Sequence, residues 1–269
     1  MSYFILIFEN YAIMTGKEDM SMNEHNALLK KSRMTRYFID AVVSLSDDMP
    51  VDAITLRQVA AAAGYNSATL YNYFQNMNQL IAFTLIERMS LIWIDASKLQ
   101  EQLNGSLNHY LGQWLAQCRE SFQHPQLFLY FFQLEEKALI YQRIPDYFAV
   151  FPEIREQLSA PLLAQTGETD FARKNQNILL PCVEEGYFLS ADVENLIAAA
   201  DILFGGILLQ ILRHRTDSQA PVHYTQIFFR FLHSFTDAYR QKASPESDWL
   251  YEQIERWDPS FSFLNSFFI

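Results

Sequence analysis

The run TLRQVAAAAGYNSATLYNYFQNMNQLI, Thr55 to Ile81, constrains the fold of this chain more than any other. Thr55 offers a hydroxyl to cap a helix, and Gln58 is spaced to reach back to the cap's own amide, the pattern of a capping box. Val59, Ala60 and Ala63 then form a narrow apolar stripe. Gly64 stands where a left-handed residue closes the last turn, and Asn66 is a good side-chain cap for the helix that follows. The turn is therefore about three residues long, and helices joined so tightly cross at a steep angle. The second, Ser67 to Phe74, is left projecting from the domain, which is the geometry of a helix-turn-helix. Asn76 and Gln79 repeat the cap-and-return spacing and open a long helix over about Met77 to Leu99.

The segment V-A-x-x-A-G-Y-x-S-x-T-L-Y-x-Y-F, Val59 to Phe74, closely resembles the DNA-binding domain of TetR/AcrR-type transcriptional regulators, with similarity from about Thr35 to Ile81. The resemblance implies an all-α protein: an N-terminal three-helix DNA-binding domain, then a larger helical domain that binds a small molecule and dimerises. It places the second helix of the motif in a major groove. Ser67, Ala68 and Tyr71 would then face bases or their sugars, with Thr69, Asn72 and Tyr73 toward phosphates. Arg57 is the cation within the motif and can reach a phosphate or a guanine. Leu70 and Phe74 read as packing residues. Where the family commonly has lysine at the start of the next helix this chain has Met77, so its grip on DNA is expected to be poorly charged.

That expectation gives weight to the basic cluster Lys30, Lys31, Arg33 and Arg36 just upstream, read as an arm that contacts phosphates. A formal charge of -11 argues against non-specific polyanion binding by the whole molecule, so DNA affinity has to come from such a local surface. Helix 1 is expected over about Thr35 to Ser46, with Phe38, Ala41, Val42 and Leu45 on one buried face and Pro50 beyond its end. The residues ahead of it include an apolar run, Tyr3 to Phe8, too short for a signal peptide or a span. Cys118 and Cys182 read as reduced core thiols in a cytoplasmic protein.

Half of the 269 residues are apolar, enough for a sizeable core. Beyond Ile81 the periodicity stays helical but the apolar arcs are wide, as in helices buried on most sides. Pro145, Pro152 and Pro161 divide Asp146 to Gln165 into short pieces or kinked helices. Trp93, Trp114, Phe128, Phe132, Tyr147 and Phe151 are candidates to line a pocket for a small apolar or aromatic effector. Long helices are expected over Val193 to Arg215 and Val222 to Lys242, and the family resemblance implies that such a pair forms the dimer surface, with Leu203, Ile207, Ile211, Phe228, Phe231 and Phe235 as interface candidates. Gly205 and Gly206, in mid-helix, suit a place where two backbones approach. The tail from Ser244 to Ile269 is apolar enough to require cover from its own body or a partner subunit rather than a membrane.

No nucleophile elbow, phosphate loop, dinucleotide fingerprint, zincin motif or paired CxxC occurs, and His109, His124, His214, His223 and His233 are scattered, so neither an enzyme nor a cofactor or metal site is expected. The domains read as an extension at 1–29, a DNA-binding domain at 30–81, an effector and dimerisation domain at 82–243 and a tail at 244–269. The expected function is a homodimeric repressor, released from a palindromic double-stranded DNA operator by a small molecule. The alternative is a helical interaction protein with a weakened DNA-binding head.

Overall fold

The structure is a computed structural model that describes residues 22–214 and 220–257. Among these, all regular structure is helical. The first helix, α1 (Met22–Asp48), starts well ahead of the expected Thr35. No glycine or proline interrupts Met22 to Met49, and Ala27, Leu28, Leu29, Lys30 and Lys31 are strong helix formers, so nothing in the sequence stops propagation toward the N-terminus. Its buried face, Phe38, Ile39, Ala41 and Val42, is confined to its second half. Lys30, Lys31 and Arg33, read in the sequence as an arm ahead of the first helix, therefore lie on that helix.

A short 3-10 turn leads into α2 (Leu56–Ala62) and α3 (Ser67–Tyr71), followed by α4 (Met77–Gln102). The last of these is the spine of the molecule. It packs on α1 in the head and on α5 (Ser106–Gln123), α6 (Pro125–Gln133), α7 (Ala138–Tyr141) and α8 (Ile144–Val150) in the body. Small residues such as Ala82, Ser90, Ala96 and Ser97 are buried along it and let neighbouring helices approach closely. Two hydroxyls this brings inside are satisfied on the helix itself, Thr84 Oγ1 donating to Leu80 O at 3.0 Å and Ser90 Oγ to Glu87 O at 2.7 Å, while Ser97 Oγ accepts from Ser159 N at 2.9 Å.

The prolines after α7 open short helices rather than merely breaking one. Pro145, Pro152 and Pro161 stand in the first turns of α8, α9 (Pro152–Glu156) and α10 (Ala160–Thr166), where the missing amide costs nothing. Then come α11 (Phe171–Glu184), α12 (Val193–Arg213), α13 (Ala220–Tyr239) and α14 (Pro245–Glu255). The apolar end of the chain is in part a helix of the body. Leu250, Tyr251 and Ile254 of α14 are buried, Tyr251 Oη pairs with Thr236 Oγ1 at 2.9 Å and Ser247 Oγ donates to Asn108 Oδ1 at 2.8 Å. Phe261 to Ile269 and the extension before Met22 lie outside the described residues.

Candidate nucleic-acid interface and effector cavity

The helix-turn-helix is built by local bonds. Gln58 N donates to Thr55 Oγ1 at 3.4 Å while Thr55 N donates to Gln58 Oε1 at 2.9 Å, completing the capping box. At the other end of α2, Gly64 takes φ 78°, Tyr65 N donates to Ala60 O at 2.8 Å and Gly64 N to Ala61 O at 3.1 Å. This is a Schellman closure, and its left-handed residue is strained for any side chain, so glycine is required there. Thr69 N then donates to Asn66 Oδ1 at 2.9 Å to start α3. Asn76 Oδ1 caps α4 by accepting from Gln79 N, but the Gln79 side chain reaches the amide of Gln75 rather than that of Asn76.

Leu70 and Phe74 anchor α3 in the core of the head, with Phe74 edge-on to Phe38 and Phe83. Ala68, Asn72 and Tyr71, the last 57% exposed, face outward, and Ser67 and Thr69 are half-buried. The Thr69 hydroxyl bonds to Asn66 Oδ1, and the Tyr73 ring lies 5.9 Å from that of Phe38, so both side chains also serve the fold. Arg57 is exposed at the start of α2. Met77 is half-buried against the core and adds nothing polar to this surface.

Arg36, read with the basic cluster in the sequence, is committed elsewhere. Its guanidinium forms an ion pair with Glu87 of α4 and lies 4.8 Å from the centroid of the Phe151 ring. Glu87 is buried, and burial raises its carboxyl above the ordinary range against the opposing pull of Arg36 and then Arg88. Arg88 in turn bonds to Glu120 of α5 at 3.2 Å. An ionic chain thus runs from the first helix of the head through α4 into the body.

A few turns along α4, Met89, Ile92 and Trp93 form part of the wall of a cavity of about 120 Å³. Trp114, Phe128 and Phe132 line it as well, so four of the six aromatic candidates share one site. Tyr147 and Phe151 do not. They are packed where α8 meets α1 and α4, with Tyr147 edge-on to Phe83 at 5.8 Å and 4.8 Å from Phe151. The wall also carries polar groups that the sequence reading passed over: Gln113, Gln117, Lys174, Asn175 and Asp201. Asp201 was visible as the lone charge within LIAAADILFGGILL, and Lys174 as a cation on a helix that also packs Ile178 and Leu179 inward. Asn175 Nδ2 approaches Asp201 Oδ2 at 3.3 Å. Burial pushes the Asp201 carboxyl up to about 6, opposed by Lys137 and by that hydrogen bond.

Of the interface candidates, Ile207, Ile211 and Phe228 are buried within the chain's own core. Phe231 is exposed, and Leu203 and Phe235 are half-buried. The outward face of α12 is instead Ile202, Gly206 and Leu209. Gly205 receives the ring of Phe132, whose Cε1 would stand 3.0 Å from an added Cβ, whereas among the described residues Gly206 meets nothing within 4 Å. By length and composition the segment Ser190–Arg213 could cross a membrane, with a mean hydropathy of 1.9 over its most apolar window. Its inner face packs on α6, α11 and α13. Among the described residues no cluster of His, Cys, Asp or Glu could hold a metal ion.

Residues 38–82 match the family model for bacterial regulatory proteins of the tetR family. Among solved structures, a TetR family transcription regulator from Marinobacter aquaeolei VT8 is similar over 82% of this chain and 100% of its own, with 17% identity and a TM-score of 0.48. No curated protein matches the sequence. The matched segment begins on the buried face of α1, contains the whole helix-turn-helix and ends in the first turns of α4, so it is the head of this chain that is similar to bacterial regulatory proteins of the tetR family.

Proposed function

We propose that the protein is a ligand-responsive repressor: a cytoplasmic homodimer that holds a palindromic operator and releases it when a small apolar or aromatic molecule fills the cavity. In this reading Ser67, Ala68 and Tyr71 meet bases, Thr69, Asn72, Tyr73 and Arg57 meet phosphates or a guanine, and Lys30, Lys31 and Arg33 add phosphate contacts from α1. It is a binding protein rather than an enzyme.

One observation carries the reading. A single helix, α4, begins directly behind the recognition helix, is tied to α1 through Glu87 and Arg36, and supplies Met89, Ile92 and Trp93 to the cavity wall. A ligand that fits the cavity better at one setting of α4 biases the head by the same free energy, which is what allostery requires. Coupling of about 1–3 kcal/mol weakens operator binding roughly 5- to 150-fold. Two-fold symmetry brings two recognition helices to one face of DNA and makes the operator palindromic.

The test is selection of bound sequences from random duplex DNA by the purified protein. Enrichment of a palindrome is the expected result. No enrichment even at low salt overturns the repressor reading and favours an interaction protein, a reading that the uncharged face of α3 and the apolar Met77 would then explain.

A further inference from the structure

Lys174 is 7% exposed, and among the described residues its Nζ has no hydrogen-bond partner. The ammonium lies 4.0 Å from the centroid of the Tyr141 ring and 5.3 Å from that of Trp93, in the cavity wall. Ring faces attract a cation but accept no conventional hydrogen bond, so the ammonium's donors remain unused. The acids nearby are otherwise engaged. Glu168 bonds to the amide of Asp170 and faces Arg173 at 3.6 Å, and Asp201 pairs with Asn175. Burial lowers the Lys174 pKa to about 8, with Glu168 opposing the shift, which leaves the group mostly protonated at neutral pH.

A buried ammonium with unused donors, facing a cavity, is a receptor lacking its anion. The size and walls narrow the rest of the ligand. A cavity of about 120 Å³ is close to the roughly 150 Å³ apolar cavity that accepts benzene, so it holds about one ring. Trp93, Trp114 and Phe128 offer that ring aromatic neighbours. The anion is singly charged, because Asp201 and Glu168 stand near enough to disfavour a second negative charge. We infer that the cavity binds a monocarboxylic acid built on a single aromatic ring, its carboxylate received by Lys174. This names the ligand class of the proposed effector site and rests on that reading.

Calorimetry on the full chain with benzoate, phenylacetate and 3-phenylpropanoate, each beside its primary amide, tests the inference. At least one acid is expected to bind about tenfold or more tightly than its amide, the order of a charge-assisted hydrogen bond. Lys174→Met is expected to abolish that preference with amide binding intact, and Lys174→Arg to keep it. Equal binding of acid and amide, no binding by any acid, or a preference that survives Lys174→Met overturns the inference. Should Lys174→Met fail to fold, the acid–amide comparison in the wild type and Lys174→Arg decide. Operator affinity measured with and without the bound acid separates this inference from the one beneath it. Binding that leaves operator affinity unchanged sinks the effector reading and spares the carboxylate site, whereas operator release by the neutral amides alone does the reverse.

Discussion

Single residues decide which parts of this molecule are adjustable. Asp201 interrupts the apolar run of α12, and its position in the cavity wall is what lifts its carboxyl from 3.8 to about 6. A carboxyl whose folded pKa exceeds its unfolded one takes up a proton more readily in the native state. Its contribution to stability is therefore fully present below about pH 4 and lost as the pH rises through about 6. Asp201→Asn keeps the shape and cannot ionise, so it is expected to match the wild type in melting temperature at pH 4 and to exceed it by about 5 °C at pH 7.5. Thermal unfolding across that range checks it, and a gap that stays constant with pH sinks the assignment. Arg36 shows why such roles escape a reading of sequence. In the chain it follows Lys30, Lys31 and Arg33 and looks like one more solvent-facing cation, because the partner that claims it, Glu87, is fifty-one positions away.

At the scale of elements, the parts fixed by local bonds were legible and those fixed by distant packing were not. The caps at Thr55, Asn66 and Asn76 and the left-handed Gly64 each involve residues a few positions apart, so the turn and the start of each helix follow from the sequence itself. The start of α1 does not, since no breaker marks it, and the fate of Tyr73 depends on Phe38 in another helix. This changes what the basic cluster can do. On a helix, Lys30, Lys31 and Arg33 keep a fixed register with the head, while Arg36 is held by Glu87 and is expected to neutralise no phosphate. Replacing Lys30, Lys31 and Arg33 with Gln is expected to reduce the slope of log affinity against log salt by roughly 3 per head at most, at about 0.9 for each phosphate left without its cation. Arg36→Gln is expected to leave that slope alone. Fluorescence anisotropy on the selected operator at several salt concentrations measures both, and a slope indifferent to the triple change removes α1 from the DNA surface.

For the whole molecule, the question is what covers α12 and α13. Periodicity could find these helices but not orient them, because α12 is apolar on nearly every side and an apolar arc that wide does not say which part turns inward. The fold resolves it: Ile207, Ile211 and Phe228 pack within the protomer, and Ile202 (76% exposed), Gly206 and Leu209 face out with Phe231. If this face joins two subunits, Gly206 marks the closest approach of their backbones, and its neighbour provides a control. An added Cβ at Gly205 meets Phe132 of the same chain, while at Gly206 it meets no described residue within 4 Å. In an isolated protomer Gly206→Ala therefore stabilises, by about 1 kcal/mol of helix propensity. In a dimer that closes over Gly206 the same methyl group is forced between helices and weakens association. We expect the second outcome: Gly206→Ala shifts the monomer–dimer equilibrium toward monomer in sedimentation and lowers operator affinity, because two linked heads bind more tightly than one. Ile202→Glu, which buries a charge in the same interface, is expected to do so more strongly while circular dichroism keeps its helical signal. A Gly206→Ala protein that is more stable and equally dimeric would move the interface off this face.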